Sequence, residues 1–547
     1  MTKTVGEFLF DNLKAEGITE IFGVPGDFNF SLLDTLEDYE GIDLIDNRNE
    51  LNAGYAADGY AQVKGIAAMI TTFGVGELSA SNAVAGAYSE NIPLIHIAGS
   101  PDLDTQKAGG NVHHTLMDGN FEVFRHMYEH ITAYAVKVTK ENAGTEIPKA
   151  IRIAKEKKKP VYLDFPIDQV TEPVGETKAV EAEGVTDEKS LEAAVDRAKA
   201  QLEEADKTVM LVDFNTLRYH LESEVQSLAE ALNVPVAQMM QGKGGFNEQH
   251  PQYIGMYGGA FGDPEVQKIV EEADCIIAVG MLWSDFNLAK YTADLDTGKM
   301  IIIHPHSVEV AGEKYDGIQA ADALEALQKS GYRREGEVEA LPSIYDDIAG
   351  GPEENIAAES YYPRFQRMLE KEDILVVDTG TLSYGMSQVK LPTGATFISH
   401  GAWQSIGYGT PAALGASAAA DRRVLLFIGE GAFQFTAQEL STIIDKRYQP
   451  IIFLLNNRGY TIERYLNTER PYADYNDVPE WDYMSLIDSF SKRGEVFKAS
   501  VWTNGELDEA IEEARNFNGA CFIELIVTDP MDAPLYLHNL REHAKED

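Results

Sequence analysis

The chain is predicted to fold as α/β, with three consecutive open parallel-sheet α/β domains, and three observations carry this expectation. Short apolar runs bounded by glycine or proline recur along its length and alternate with stretches of helical length and spacing. Two polar, acid-rich segments, "TEPVGETKAVEAEGVTDE" and "GEVEALPSIYDDIAGGPEEN", divide that alternation into three blocks. One segment, "RVLLFIGEGAFQFTAQELSTIIDKRYQPIIFLLNN" from Arg423, reads as strand, glycine turn, helix and strand. It is a βαβ unit whose two strands are parallel neighbours or near neighbours.

Length agrees, since 547 residues exceed one core and suggest about three domains. The first block, residues 1–180, opens with a helix leading into a strand, "MTKTVGEFLFDNLKAEGITEIFGV", which lacks the uninterrupted apolar stretch of a signal peptide. Its strand-like runs are "AAMITTF", "PLIHIAGS" and "PVYLDFP". The second block, residues 188–335, carries "TVMLVDF", "VPVAQMM", "CIIAVG" and "MIIIHP" at the spacing of another parallel sheet. The third, residues 358–547, holds "ILVVDTG", the βαβ unit and "CFIELIV". There is no short-period repeat, no low-complexity tract and no run of transmembrane length.

The formal charge of -44, from 45 basic and 89 acidic residues, argues against nucleic acid as a partner, because no basic excess exists to neutralise phosphates. It describes a solvated, self-repelling surface. Cys275 and Cys521 each lie in a strand-like run, so inert buried thiols in a reducing, cytoplasmic setting are expected, without a disulfide framework or a metal pair.

Chemistry is expected where the βαβ unit ends its strands. Glu430 and Asn457 both fall at carboxyl ends, where open α/β sheets bind ligands. A carboxylate and a carboxamide are hard oxygen donors suited to Mg²⁺ or Ca²⁺. The helix starting near Gly431 offers free N–H groups and a positive dipole end, which favour phosphate. Taken alone, Glu430 could equally be a helix-capping acid.

Several motifs resemble one family. "GEG" with the downstream "NN" is similar to the thiamine diphosphate motif, in which GDG precedes NN, and "TIE" is similar to the 2-oxo acid decarboxylases. In the first block "EIFGVPGDFN", "NELNAGYAADGYA", "TTFGVGELSA", "GSP" and "HHTLMDGNF" resemble the pyruvate, indolepyruvate and branched-chain 2-oxo acid decarboxylases. The resemblance implies thiamine diphosphate and Mg²⁺ as cofactors and non-oxidative release of an aldehyde and CO₂ from a 2-oxo acid. It also implies a homodimer at minimum, as part of a homotetramer.

By the same resemblance Glu50 would bond N1′ of the cofactor pyrimidine, and Asp27, His113, His114 and Glu463 would transfer protons. The metal would take the side chains of Glu430 and Asn457 and the carbonyl of Gly459. Thr72, Thr379, Gln404, Gly429, Gly431, Ala432 and Ile462 complete the implied cofactor set, with Ile406 as the bulky residue that bends the cofactor. Two positions depart from the pattern: Glu430 stands where the family has aspartate, and Gln404 where it commonly has glycine. The implied substrate pocket comprises Phe286, Ser383, Tyr384, Ile462 and Leu540. Phe286 narrows it, while Ser383, where pyruvate enzymes have tryptophan, opens it. The expectation is a broad range of medium and large linear, branched or aromatic 2-oxo acids. Pyruvate and a carboligating synthase of the same superfamily are the alternatives.

Overall fold

The computed structural model describes residues 3–177, 184–490, 492 and 494–546. The middle of the first acid-rich segment, and with it the expected boundary at residue 180, lies outside them.

Three open sheets form. The first comprises β1 (Glu20–Gly23), β2 (Asp43–Asp46), β3 (Ala67–Thr72), β4 (Leu94–Ser100), β5 (Tyr134–Lys137) and β6 (Val161–Pro166) in the order β2-β1-β3-β4-β6-β5, all parallel. The second holds β7 (Thr208–Val212), β8 (Val236–Met239), β9 (Tyr253–Tyr257), β10 (Cys275–Val279) and β11 (Met300–His304), extended by β12 (Ser307–Val310) and β13 (Glu313–Asp316). Its order is β13-β12-β11-β10-β7-β8-β9, and the β12–β13 hairpin pairs antiparallel at one edge of an otherwise parallel sheet. Those final strands follow β11 through turns too short for a parallel crossover.

The third sheet comprises β14 (Ile374–Val377), β15 (Thr396–Ile398), β16 (Val424–Gly429), β17 (Ile451–Asn456), β18 (Phe497–Val501) and β19 (Cys521–Ile526). Its order, β15-β14-β16-β17-β19-β18, all parallel, repeats the topology of the first sheet without a repeated sequence. Most central strands are buried end to end, as in sheets covered on both faces by helices. Cys275 and Cys521 sit inside β10 and β19 as buried free thiols, and burial pushes both up to about 12.

The βαβ unit forms with β16 and β17 as direct neighbours, Gly429 opposite Leu455. The long helix expected between them breaks into Glu430–Thr436, a 3-10 turn Ala437–Glu439 and Leu440–Asp445. The side chain of Glu439 accounts for the break. It turns into the first domain and accepts from Asn47 Nδ2 (2.9 Å), Asn52 Nδ2 (2.7 Å) and the Arg48 N–H (3.1 Å).

The first and third domains meet where the helix Glu50–Lys64 crosses the helix Gly409–Ala419. Both are rich in alanine and glycine, with Tyr55 and Tyr60 on the first, and are buried on nearly every side. A Cβ on Gly59 would lie 2.3 Å from the Ala412 carbonyl oxygen, and one on Gly415 would lie 1.8 Å from that of Ala56. Glycine is therefore required on both helices for backbone to approach backbone. In an ordinary helix interior, glycine to alanine gains about 1 kcal/mol of propensity. Here the overpacking term of about 1–3 kcal/mol opposes it. Gly59→Ala is expected to lower the midpoint of denaturant unfolding; an unchanged or raised midpoint would mean that the crossing relaxes freely.

Candidate active site

In the first and third sheets, strand order reverses between the first and third strands of the domain, which is where open sheets leave a crevice at their carboxyl ends. In the third domain that point lies between β14 and β16. A cavity of about 440 Å³ opens there. Thr379, Gln404, Ile406, Gly429, Glu430, Gly431, Ala432, Asn457, Gly459, Ile462 and Glu463 line it. Phe286 of the middle domain, Ser383 and Tyr384 also line it, the Phe286 and Tyr384 rings standing 5.5 Å apart. Leu540, expected in that wall, is buried behind it in the apolar cluster that Phe286, Tyr384 and Ile462 pack against.

Local geometry fits a diphosphate held through a divalent cation. A Cβ on Gly429 would meet nothing within 4 Å, so the strand end leaves open space. The N–H groups of the Glu430–Thr436 helix begin at the same place. Asn457 Nδ2 donates to Thr461 Oγ1 (2.7 Å), which leaves the amide oxygen for another partner. Glu430 is buried, and burial pushes its carboxyl up to about 7, although its Oε1 accepts from the Gly459 N–H at 2.7 Å. A buried carboxylate of this kind calls for a cation. Gly459 is itself required, because a Cβ there would lie 2.2 Å from the Asn476 carbonyl oxygen.

Gln404 lies at φ 55°, a left-handed conformation that costs a side-chain-bearing residue about 1–2 kcal/mol. The glycine common at this position in the resembling family answers that requirement. Here the loop is held from outside. Glu90, at the end of the helix Val75–Ser89, accepts from the Ala402 and Trp403 N–H groups (2.7 and 2.8 Å). Ser405 Oγ meets Tyr55 OH at 2.5 Å. His400 Nε2 donates to Asp58 Oδ2 (3.4 Å), and Asp58 Oδ1 accepts from Tyr408 OH (2.7 Å). Burial alone would lower the His400 imidazole, but the Asp58 carboxylate outweighs it and raises it. Asp58, Glu90 and His400 were not legible as site residues. The one sequence signal is an acid inside the small-residue run "YAADGYA", and its partners lie in another domain.

The first domain carries the other expected groups at its own switch point, between β1 and β3. Asp27 follows β1, and its Oδ2 accepts from His113 Nε2 (2.5 Å), while His114 Nδ1 lies 3.9 Å from Oδ1. Phe28 stacks on His113, with ring centroids 4.9 Å apart. Thr72 ends β3 with its hydroxyl buried and unpartnered. Glu50 heads the Glu50–Lys64 helix, capped by Asn49, and its Oε1 lies 3.2 Å from where a Cβ on Gly76 would stand, so glycine makes room for the carboxylate. None of these first-domain residues lines the cavity of the third domain.

Family models match the chain in three consecutive parts. These are the thiamine pyrophosphate enzyme N-terminal TPP binding domain over residues 3–130, the central domain over 195–329 and the C-terminal TPP binding domain over 378–525. A pyruvate decarboxylase of Candida glabrata is 36% identical over 98% of this chain and 97% of its own. One of Aspergillus fumigatus is 38% identical over 95% and 93%. An alpha-keto-acid decarboxylase of Mycobacterium avium is 35% identical over 98% and 96%. With matches of this kind spanning nearly all of both partners, the chain belongs to the thiamine diphosphate-dependent 2-oxo acid decarboxylases.

Proposed function

We propose that this decarboxylase works with Mg²⁺-bound thiamine diphosphate as a homodimer, paired further into a homotetramer. Each active site takes its cavity from one chain and its Glu50, Asp27, His113 and His114 from the partner. One observation carries the reading: within a single chain, the metal-suited cavity and the acid–base cluster occupy the switch points of two different sheets and do not meet. Exposed apolar side chains border both halves, Leu116 and Met117 beside the histidines, Val75 beside Glu50, and Phe435 and Leu466 at the cavity rim. Exposed apolar patches of this kind mark association surfaces.

In this reading Glu430 and Asn457, with the Gly459 carbonyl, hold Mg²⁺. The cofactor supplies the electron sink for the carbon left when CO₂ departs. The remaining tasks fall to the chain. Glu50 holds a proton at the pyrimidine nitrogen, and the Gly76 N-terminal turn keeps its carboxylate in place. Asp27 fixes the His113 ring and its Nε2 proton, and Phe28 prevents the ring from turning. These groups and Glu463 deliver and remove protons at the substrate carbon and oxygen. Phe286, Tyr384 and Ile462 keep water from the reacting carbon.

For the substrate, Ser383 supports a broad range of medium and large 2-oxo acids. Its small side chain bonds back to the Gly380 carbonyl (2.8 Å) and leaves the cavity side open. The second reading is pyruvate, favoured by the activity named for several relatives. A panel of 2-oxo acids scored separately for aldehyde and acyloin decides between them and tests for carboligation. The buried free thiols support a reducing, cytoplasmic setting, and among the described residues no helix is long and apolar enough to cross a membrane.

Glu50→Gln is expected to reduce turnover at least about 10²-fold with the fold intact. Glu463→Gln should also be inactive. Mixed subunits that exchange at random should recover about a quarter of parental activity, because half the dimers are mixed and each has one wholly native site. No recovery despite demonstrated exchange would place both glutamates in a site of one chain.

Glu430→Asp is expected to preserve or tighten Mg²⁺-dependent cofactor binding, since Mg²⁺ favours near-ideal octahedral geometry and aspartate shortens the arm. Glu430→Ala should weaken binding by at least about tenfold. Superimposable Mg²⁺ titrations of cofactor binding in the three proteins would remove Glu430 from the metal site.

A further inference from the structure

Asp27, His113 and His114 have a property separate from proton transfer, because together they are a ligand set for a different class of metal. One ligating atom from each lies within 4.8 Å of the other two. Two imidazole nitrogens and one carboxylate oxygen suit Zn²⁺ and neighbouring divalent transition ions, whereas the all-oxygen donors at Glu430 and Asn457 suit Mg²⁺. Bonds of about 2.0–2.2 Å put the ligand atoms of a tetrahedral Zn²⁺ about 3.4 Å apart. The present separations of 2.5 Å (His113 Nε2 to Asp27 Oδ2) and 3.9 Å (His114 Nδ1 to Asp27 Oδ1) bracket that value.

Two further features single out this cluster. His114 Nδ1 is buried and has no hydrogen-bond partner, so a lone pair or N–H faces Asp27 unused. The rings are also positioned beforehand. His114 stands at φ 65°, and its carbonyl oxygen lies where a Cβ on Gly74 would be only 1.8 Å away, which locks the loop against the Gly74 turn. His113 is held by its stack on Phe28. In the single chain these side chains are 43% exposed for Asp27, 58% for His113 and 30% for His114, and they face the cleft that the proposed partner subunit closes, so an ion would reach them by the route the substrate takes. The net charge of -44 raises the local concentration of cations.

We propose that Asp27, His113 and His114 form an inhibitory site for a divalent transition-metal ion of the Zn²⁺ class, distinct from the Mg²⁺ site. A bound ion occupies the nitrogen and oxygen lone pairs that carry protons, so it stops turnover without displacing the cofactor. Inhibition rests on the proton-transfer role proposed above, whereas binding does not.

Holoenzyme with thiamine diphosphate and excess Mg²⁺ is titrated with Co²⁺, whose visible absorption is intense in four- or five-coordinate nitrogen-containing sites and weak in six-coordinate oxygen sites. One intense-band site per chain is expected, displaced by Zn²⁺. His113→Ala, His114→Ala and Asp27→Asn should each weaken it at least about tenfold, with circular dichroism unchanged, while His126→Ala leaves it intact. Zn²⁺ should inhibit the parent enzyme over the same concentration range, and a chelator should restore activity. No intense band, or a band equally strong in both histidine variants, overturns the site. A site that fills with turnover unaffected overturns the inhibitory role and removes these residues from proton transfer.

Discussion

The rest of the architecture depends on the close crossing of the Glu50–Lys64 and Gly409–Ala419 helices. At Gly59 and Gly415 each helix presents bare backbone to a carbonyl of the other, so the two parallel-sheet domains lock at a separation that side chains would forbid. That separation brings Asp58 within reach of His400 and Tyr408, and the Val75–Ser89 helix within reach of the 401–403 turn. A buried charged pair is costly unless its geometry is well satisfied. Here Tyr408, Gln62 and His400 together surround Asp58, and the rigid crossing keeps them there.

The cavity-lining loop around Gln404 inherits its shape from this frame rather than from its own sequence. Glutamine at φ 55° is unfavourable in isolation. It persists because Glu90 fixes two N–H groups just before it, and Tyr55 fixes Ser405 just after it. A strained residue beside a cavity, supported on both flanks from another domain, is how a fold holds a binding wall in one conformation. The same logic applies to Glu430. An acid one methylene longer than aspartate is accommodated because its carboxylate folds back onto the Gly459 N–H.

The duplicated topology explains why each chain has two crevices with chemistry-bearing residues. The first and third sheets share a strand order, and each opens a crevice at its switch point. One crevice carries carboxylate and imidazole groups, and the other carries the oxygen donors Glu430 and Asn457. They belong to different sheets, and exposed apolar side chains border both.

The amino-acid sequence by itself determined the fold class, the three α/β blocks and the placing of Glu430 and Asn457 at adjacent strand ends. These follow from local patterns, apolar runs and glycine turns, whose period is visible within a few residues. Through the family resemblance of their motifs it also marked Asp27, His113, His114 and Glu50 as candidates. Only the tertiary structure decided that the helix after Glu430 breaks for the sake of Glu439, that Leu540 backs the pocket rather than lining it, and that the middle sheet ends in an antiparallel hairpin. The same holds for the contribution of Asp58, Glu90 and His400 to the loop around Gln404. Asp58 and His400 stand 342 residues apart and Glu90 and Ala402 stand 312 apart, and pairings of that range arise from helix packing, which leaves no periodic trace in either segment.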